Sequence, residues 1–467
     1  LLHLARLEDD SQAAEDLSLR ALRLAEEAGN RETQAQALDG LARVRRREGD
    51  LHGALAAAED ALGRIESLRE EPAGPDTRAS FLATKQRTYG LAIDLFRELG
   101  EDRKAFEASE RARARSLLDI LAGRSARPVF LDEVQRELLD GDSVLLQYAL
   151  GEERSVLWAV TPGTFETFEL PPRKVLEDAA RSAHVLLAAS HQTLARARTA
   201  QALDELSRLL LSPVAGRLGN RRLVVVGDGA LLALPFGALP AAAGHEVVTL
   251  PSISALAALR RKTAGRPPAP DTLAVVADPI FGDRLPPLPF SREEARTLLA
   301  LVPEEERLAI LGTAATREAV TSGRLARYRI VHFATHGILD AEQPERSGIA
   351  LSDGFLRAKE IDRLDLPADL VVLSACETAL GREIRGEGLV GLPRAFLHAG
   401  ARRVLVSLWP VEDRATAELM RRFYREMLDR GRPPAAALRA AQVSLAREPG
   451  WGAPYYWAGF VLQGDWR

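Results

Sequence analysis

Two residues of this chain have the chemistry of a base and a nucleophile and occupy matching places in it, His336 and Cys376. His336 follows the apolar run Tyr328–Ala334, and Cys376 follows the apolar run Leu370–Ala375. Cys376 is the sole cysteine among 467 residues. A free thiol, with a pKa of about 8.5, is only a few per cent thiolate near neutral pH, and a neighbouring imidazole raises that fraction. The same ring can then protonate a leaving amine. Gly337 allows close approach of a substrate to the backbone, and its N–H together with that of Cys376 could receive an oxyanion. The pair reads as the base and nucleophile of a thiol hydrolase. The plain alternative is a buried structural cysteine, which this residue type supplies about half the time.

Rival chemistries fit less well. His332 and His336 form a His-x3-His pair that invites a zinc site. On a strand, though, residues four apart are separated by about 13 Å, too far to chelate one ion. His332 is therefore expected to be a core or supporting group, and no metal is expected. Gly386-Glu387-Gly388-Leu389-Val390-Gly391 matches a dinucleotide-binding pattern without directly following a strand, and Gly227-Asp228-Gly229 lacks the third glycine. No cofactor is expected. A net charge of −4 argues against a bulk electrostatic grip on nucleic acid. There is no apolar run of membrane-spanning length and no N-terminal signal pattern, so no membrane association is expected. A lone cysteine suits a reducing cytoplasm. Arginine supplies nearly all the basic charge, a bias expected of a GC-rich bacterial genome. The chain opens Leu-Leu-His-Leu with no initiator methionine, and we expect a fragment cut on its N-terminal side.

The elements that must position the pair are legible from periodicity. Residues 1–122 read as helices: Ala13–Ala28, Glu32–Glu48, Leu51–Leu68, Arg78–Leu99 and Lys104–Leu121, separated by Gly-Asn, Gly-Asp, Pro/Gly and Gly-Glu-Asp breakers. Leu41–Glu59 and Leu91–Glu110 share one pattern, in which a small residue (Ala54, Ala105) is followed by a large one (Leu55, Phe106), as close helix packing in a hairpin needs. The pattern resembles tetratricopeptide repeats, although the two units lie about 51 residues apart rather than 34. Such arrays usually present a binding face, and a regulatory protein partner is expected there.

Ser143–Leu150, Ser155–Thr161 and Thr164–Leu170 read as a small meander, followed by helices over Arg173–Ser190 and Ala195–Leu211 and a strand at Arg222–Val226. Strands are then expected at Glu246–Leu250, Leu273–Ala277, Leu308–Leu311, Tyr328–Ala334, Leu370–Ala375, Arg403–Leu408 and Trp457–Leu462. Intervening helices are expected at Ser254–Arg260, Ser291–Leu301, Thr316–Leu325, Leu389–Ala399, Val411–Arg430 and Pro434–Arg447. Gly348–Ser352 should turn at Asp353-Gly354 into a hairpin. Continuous Val/Ile/Leu runs suit strands buried on both faces, which gives an α/β sandwich with a largely parallel sheet. In such sheets chemistry collects beyond the carboxyl ends of the strands. His336 and Cys376 both fall there.

Residues from about 128 onward resemble a CHAT domain, a caspase- and separase-like peptidase domain associated with tetratricopeptide repeats. The resemblance rests on Gly227-Asp228-Gly229 with Leu234-Pro235-Phe236, Ala277-Asp278-Pro279, His332–Gly337 and Ser374-Ala375-Cys376-Glu377-Thr378. It continues through Gly386-Glu387-Gly388 with Arg394-Ala395-Phe396, Ser407-Leu408-Trp409 and Pro454–Ala458. It implies a caspase-like fold and a cysteine endopeptidase with a His336–Cys376 dyad acting on a protein substrate. It also implies a repeat region, 1–122, that senses a partner, an N-terminal part of the CHAT domain at 128–245 and a catalytic part at 246–467. Ser-Ala-Cys-Glu-Thr replaces the caspase Gln-Ala-Cys-x-Gly, and the histidine lies 40 rather than about 50 residues upstream, so aspartate specificity is not carried over. By analogy, substrate would add beside Val404–Pro410, with Trp409, Glu412 and Asp413 near its end and the acids favouring a basic residue before the scissile bond. The alternative is that Trp409 is core and the acids are the first turn of a helix. The rival function is a non-catalytic partner-binding scaffold with a caspase-like shell.

Overall fold

The computed structural model describes the chain outside residues 9, 69–74, 114, 124–125, 283–284, 341–342, 344–345, 375–381 and 385–387. At 6–7, 75–84, 115–116, 193–194, 382–384 and 388–390 it describes the backbone alone. The chain divides into two compact units, Leu1–Arg115 with Pro128–Glu133, and Ser116–Arg127 with Val134–Arg467.

The first unit is built of helices α1 (Leu2–Leu7), α2 (Ser11–Glu27), α3 (Arg31–Glu48), α4 (Leu51–Ser67), α5 (Pro75–Glu98) and α6 (Asp102–Arg111). The breakers act as the sequence suggests. Asn30 accepts the Thr33 N–H to start α3, Gly49 ends it at φ +84°, and Asp50 accepts the Gly53 N–H to start α4. Successive helices pack on one another through small side chains. Ala14, Ala42, Ala54, Ala58, Ala61 and Ala105 have no exposed surface, and Phe106 beside Ala105 is equally buried. An Arg46–Glu98 ion pair of 2.7 Å ties α3 to α5. The helix expected over Lys104–Leu121 is interrupted, with α7 starting anew at Arg115–Ala122. The turn tightens where the Arg113 N–H reaches back only to the Glu110 carbonyl.

The second unit is organised on one eleven-stranded sheet. Its strands in chain order are β1 (Ser143–Ala149), β2 (Ser155–Val160), β3 (Phe165–Leu170), β4 (Arg222–Val226), β5 (Val247–Leu250), β6 (Asp271–Ala277), β7 (Arg307–Leu311) and β8 (Tyr328–Ala334). Strands β9 (Gly337–Ile338), β10 (Gly348–Leu351) and β11 (Gly354–Arg357) make a small separate sheet. The main sheet resumes at β12 (Leu370–Ser374), and β13 (Arg382–Ile384) pairs only with β14 (Gly388–Val390). Strands β15 (Arg403–Ser407) and β16 (Phe460–Gly464) complete it, in the order β3-β2-β1-β4-β5-β16-β15-β12-β8-β6-β7. β4, β5 and β16 run parallel, as do β15, β12, β8, β6 and β7, and the two blocks meet antiparallel at β15–β16. All five residues of both β12 and β15 are buried, as are those of β8 other than Arg329, so helices cover both faces of the sheet here.

The helices that bear on the site are α8 (Arg173–Ala188), α9 (Thr193–Leu210), α10 (Ile253–Thr263), α11 (Ser291–Leu299), α12 (Leu392–Ala399), α13 (Asp413–Tyr424) and α14 (Pro434–Ala446). Three expectations shift. The helix expected over Thr316–Leu325 stops at Thr321 because Gly323 takes φ +80°, and a 3₁₀ turn follows over Arg324–Arg327. The segment expected to begin a helix at Leu389 starts as β14 and turns helical only at Leu392. The last strand begins at Phe460 rather than Trp457, because Pro454–Tyr456 forms a 3₁₀ turn and Gly459 leads into the strand. A side chain at Gly459 would bring its Cβ to 3.0 Å from the Trp409 ring. Among the described residues no helix is long and apolar enough to cross a membrane.

Candidate active site

β8 lies between β6 and β12 with Ala334 opposite both Ala277 and Ser374, so the carboxyl ends of three parallel strands form one edge. Two residues beyond Ala334 stands His336. Its backbone is held from the β10 side: the Ala350 N–H donates to the His336 carbonyl at 2.9 Å, and Thr335 Oγ1 donates to the Ala350 carbonyl at 2.6 Å. Gly337 follows in β9, half-buried and opposite Ile349.

The ring of His336 is fixed by two groups from the loop after β6. Its Nε2 lies 2.8 Å from the Pro286 carbonyl oxygen, and the Phe281 ring packs at a centroid distance of 5.1 Å, inclined by 54°. A carbonyl can only accept, so Nε2 carries a proton, and in the neutral ring Nδ1 is then the acceptor. The orientation of the ring is thus defined, with Nδ1 as the nitrogen not engaged by Pro286. The loop itself is tied down. The Ile280 N–H donates to Ser352 Oγ at 2.9 Å, which in turn donates to the Gly312 carbonyl at 2.8 Å. Asp278 has φ +52° and accepts from Arg292 Nε at 2.5 Å.

Asp413, first residue of α13, faces the same region. Its Oδ2 accepts the Phe290 N–H at 2.8 Å. Burial pushes its carboxyl above the ordinary aspartate range, the Phe290 N–H opposes this, Glu294 and Glu412 reinforce it, and the nearby His336 opposes it. Glu412 caps α13, accepting the N–H groups of Ala415 at 2.7 Å and Arg414 at 3.2 Å. Trp409 is 1% exposed and donates from Nε1 to the Tyr455 carbonyl at 3.1 Å. These placements follow the alternative reading, of Trp409 as core and the acids as the first turn of a helix. Trp409 is a core residue with its polar atom satisfied internally, and Glu412 caps the helix that Asp413 begins.

His332 belongs to a buried network behind the edge. Its Nδ1 is 3.0 Å from Tyr424 Oη and its Nε2 is 2.8 Å from Glu294 Oε1. All three residues are at least 97% buried. Burial first, and the Glu294 charge second, raise the Tyr424 phenol far above its usual range and keep it protonated. This is the supporting role expected of His332.

Cys376 lies outside the described residues, as do Glu377, Thr378, Gly386 and Glu387. The contributions of Pro286 and Phe281 had escaped sequence reading. A backbone carbonyl carries no residue-type signature, and an aromatic in a loop gives no periodic signal.

Fold and edge together define an α/β sandwich on a largely parallel sheet, with the candidate site at the carboxyl ends of its strands. The CHAT domain family model matches residues 198–465, and the chain belongs to the CHAT domain family. Tetratricopeptide repeat protein 28 of Homo sapiens is 28% identical over 327 residues, covering 56% of this chain and 13% of that protein. The Mus musculus protein of the same name is 29% identical over 330 residues, with the same coverage. The chain thus spans 13% of the length of these curated relatives. Among solved structures, the Saccharomyces cerevisiae separase–securin complex superposes with a TM-score of 0.55 at 11% identity, over 93% of this chain and 37% of that one, a likeness of fold.

Proposed function

We propose that the chain is a cysteine endopeptidase in which His336 activates Cys376, and that the helical first unit subjects it to control by a protein partner. The observation that carries the reading is the placement of His336: it stands just past the carboxyl end of β8 with Nε2 occupied by the Pro286 carbonyl, which leaves Nδ1 as the nitrogen to exchange a proton with the thiol. Ala334 stands opposite Ser374 on the adjacent parallel strand, and His336 and Cys376 each follow these by two residues in sequence. In the proposed reaction Nδ1 takes the Cys376 thiol proton and the thiolate adds to the scissile carbonyl. The N–H groups of Gly337 and Cys376 receive the oxyanion. The imidazolium returns its proton to the leaving amine, and water then hydrolyses the thioester. The Asp413 carboxylate, when ionised, favours that imidazolium.

The test is cleavage by the full chain of proteins in a lysate of its own host cells, read by mass spectrometry of new N-termini. Wild type should produce cuts that Cys376→Ala and His336→Ala both abolish. Cuts that persist in Cys376→Ala would remove it as nucleophile. No cut by any form, with Cys376 unreactive toward iodoacetamide at neutral pH, would leave the chain a binding scaffold.

A further inference from the structure

At the opposite edge of the sheet, the amino-terminal ends of β6, β8, β12 and β15 and the turn Gly431–Pro434 enclose a cavity of about 420 Å³. That is within the range of about 300–1,000 Å³ typical of small-molecule sites. Arg329, Arg402, Arg403, Arg432 and Arg467 line it against a single acidic side chain, Asp369. Arg329 and His336 are seven residues apart on one nearly extended segment, about 23 Å. The cavity is therefore separate from the candidate active site.

Its charges are poorly matched from within. Asp369 is shared by two guanidinium groups, Arg329 Nε and Arg402 Nε each lying 3.4 Å from it, longer than the 2.7–2.9 Å or so of a well-formed pair. Arg402 Nε is buried and lacks hydrogen-bond alignment even to that carboxylate. Arg403 is only 6% exposed; one terminal nitrogen donates to the Arg467 carbonyl, and its Nε is buried with no partner. Among the described residues no aspartate or glutamate side chain comes within ion-pair distance of Arg403. Burial lowers its pKa, Asp465 and Asp369 oppose that, and Arg402 and Arg260 reinforce it. Arg432 and Arg467 reach out to Glu426 at 3.2 Å and Asp140 at 3.7 Å on the rim. Buried cations without a counter-charge are costly, and a planar guanidinium fork is suited to phosphate oxygens.

We infer that this cavity is a binding site for a small polyphosphate-bearing anion, which offsets the positive charge that Arg402 and Arg403 place in its wall and is gripped at the mouth by Arg329 and Arg432. A single phosphate would leave most of the positive charge unmet. Inorganic polyphosphate and a nucleoside polyphosphate share the chemistry, and the comparison of tripolyphosphate with magnesium-free ATP separates them.

The experiment is calorimetric titration of the full chain with sodium tripolyphosphate, ATP and orthophosphate at low salt. We expect saturable binding of tripolyphosphate or ATP, tighter than orthophosphate and weakened by added sodium chloride. Removing one charged donor should cost about tenfold or more in affinity. Arg329→Gln and Arg432→Gln, whose side chains are 53% and 48% exposed, should fold normally and each show that loss. Arg181→Gln, on the surface of α8, should bind as wild type does. No saturable binding, or equal loss in Arg181→Gln, would overturn the assignment. So would a preference for an oligo-glutamate peptide over both polyphosphates.

Discussion

The ring of His336 makes its one described hydrogen bond to a backbone carbonyl, with Phe281 packed against it, which makes the ring's chemistry directional. With Nε2 committed to Pro286, His336→Gln should retain that contact yet lose the base, and cleavage should fall about 10²–10⁴-fold. A smaller loss in cuts counted against wild type would mean that another group takes the proton. Asp413 makes a prediction of opposite sign for stability. Its folded pKa is raised, so ionising it within the fold costs stability, and its contribution declines as pH rises through that pKa. Asp413→Asn, which keeps an oxygen for the Phe290 N–H, should raise the urea midpoint at pH 7, and the gain should vanish below about pH 4. A midpoint that drops at pH 7 would show instead that the charge is stabilising, through His336. Behind them, Tyr424→Phe strips His332 Nδ1 of its partner and should cost about 1–3 kcal/mol in urea unfolding. A negligible loss would mean that the network is not made.

At the scale of elements, the strands and the edge they share were legible, because Val/Ile/Leu runs bounded by glycine and proline carry a strong local signal. Tyr328–Ala334 and Arg222–Val226 coincide with the expected limits to the residue. What escaped was non-local. Nothing in Trp457–Phe460 says that Pro454 opens a 3₁₀ turn or that Gly459 must clear Trp409, and the Asp413 acceptor role depends on a loop 123 residues away. The same holds for the hairpin β10–β11, expected from Asp353-Gly354 but not as the clamp on His336. Gly348 sits where an added Cβ would lie 2.5 Å from the Leu356 carbonyl oxygen. Gly348→Ala should therefore push the two strands apart, cost about 1–3 kcal/mol, and lower cleavage more than stability through the Ala350–His336 bond. Unchanged cleavage in a destabilised variant would show that His336 does not depend on the clamp.

For the whole molecule, the helical unit and the sheet unit each bury their own core, and the proposed control would have to pass between bodies that are separately built. If the first unit receives a partner, deletion of residues 1–115 should change cleavage or its response to a co-purified partner. The same activity and the same response in the shortened chain would make the helices support only. Sheet topology carries a different consequence, one of timing. β16 joins β5 to β15, with Leu462 opposite Val248 across 214 residues of sequence. During synthesis, two half-sheets must therefore wait, each with an open edge, until residue 464 leaves the ribosome. Nascent chains halted before Phe460 should expose two unpaired strands prone to wrong pairing. The centre of the sheet, and not its rim, would be the last part of the fold to close.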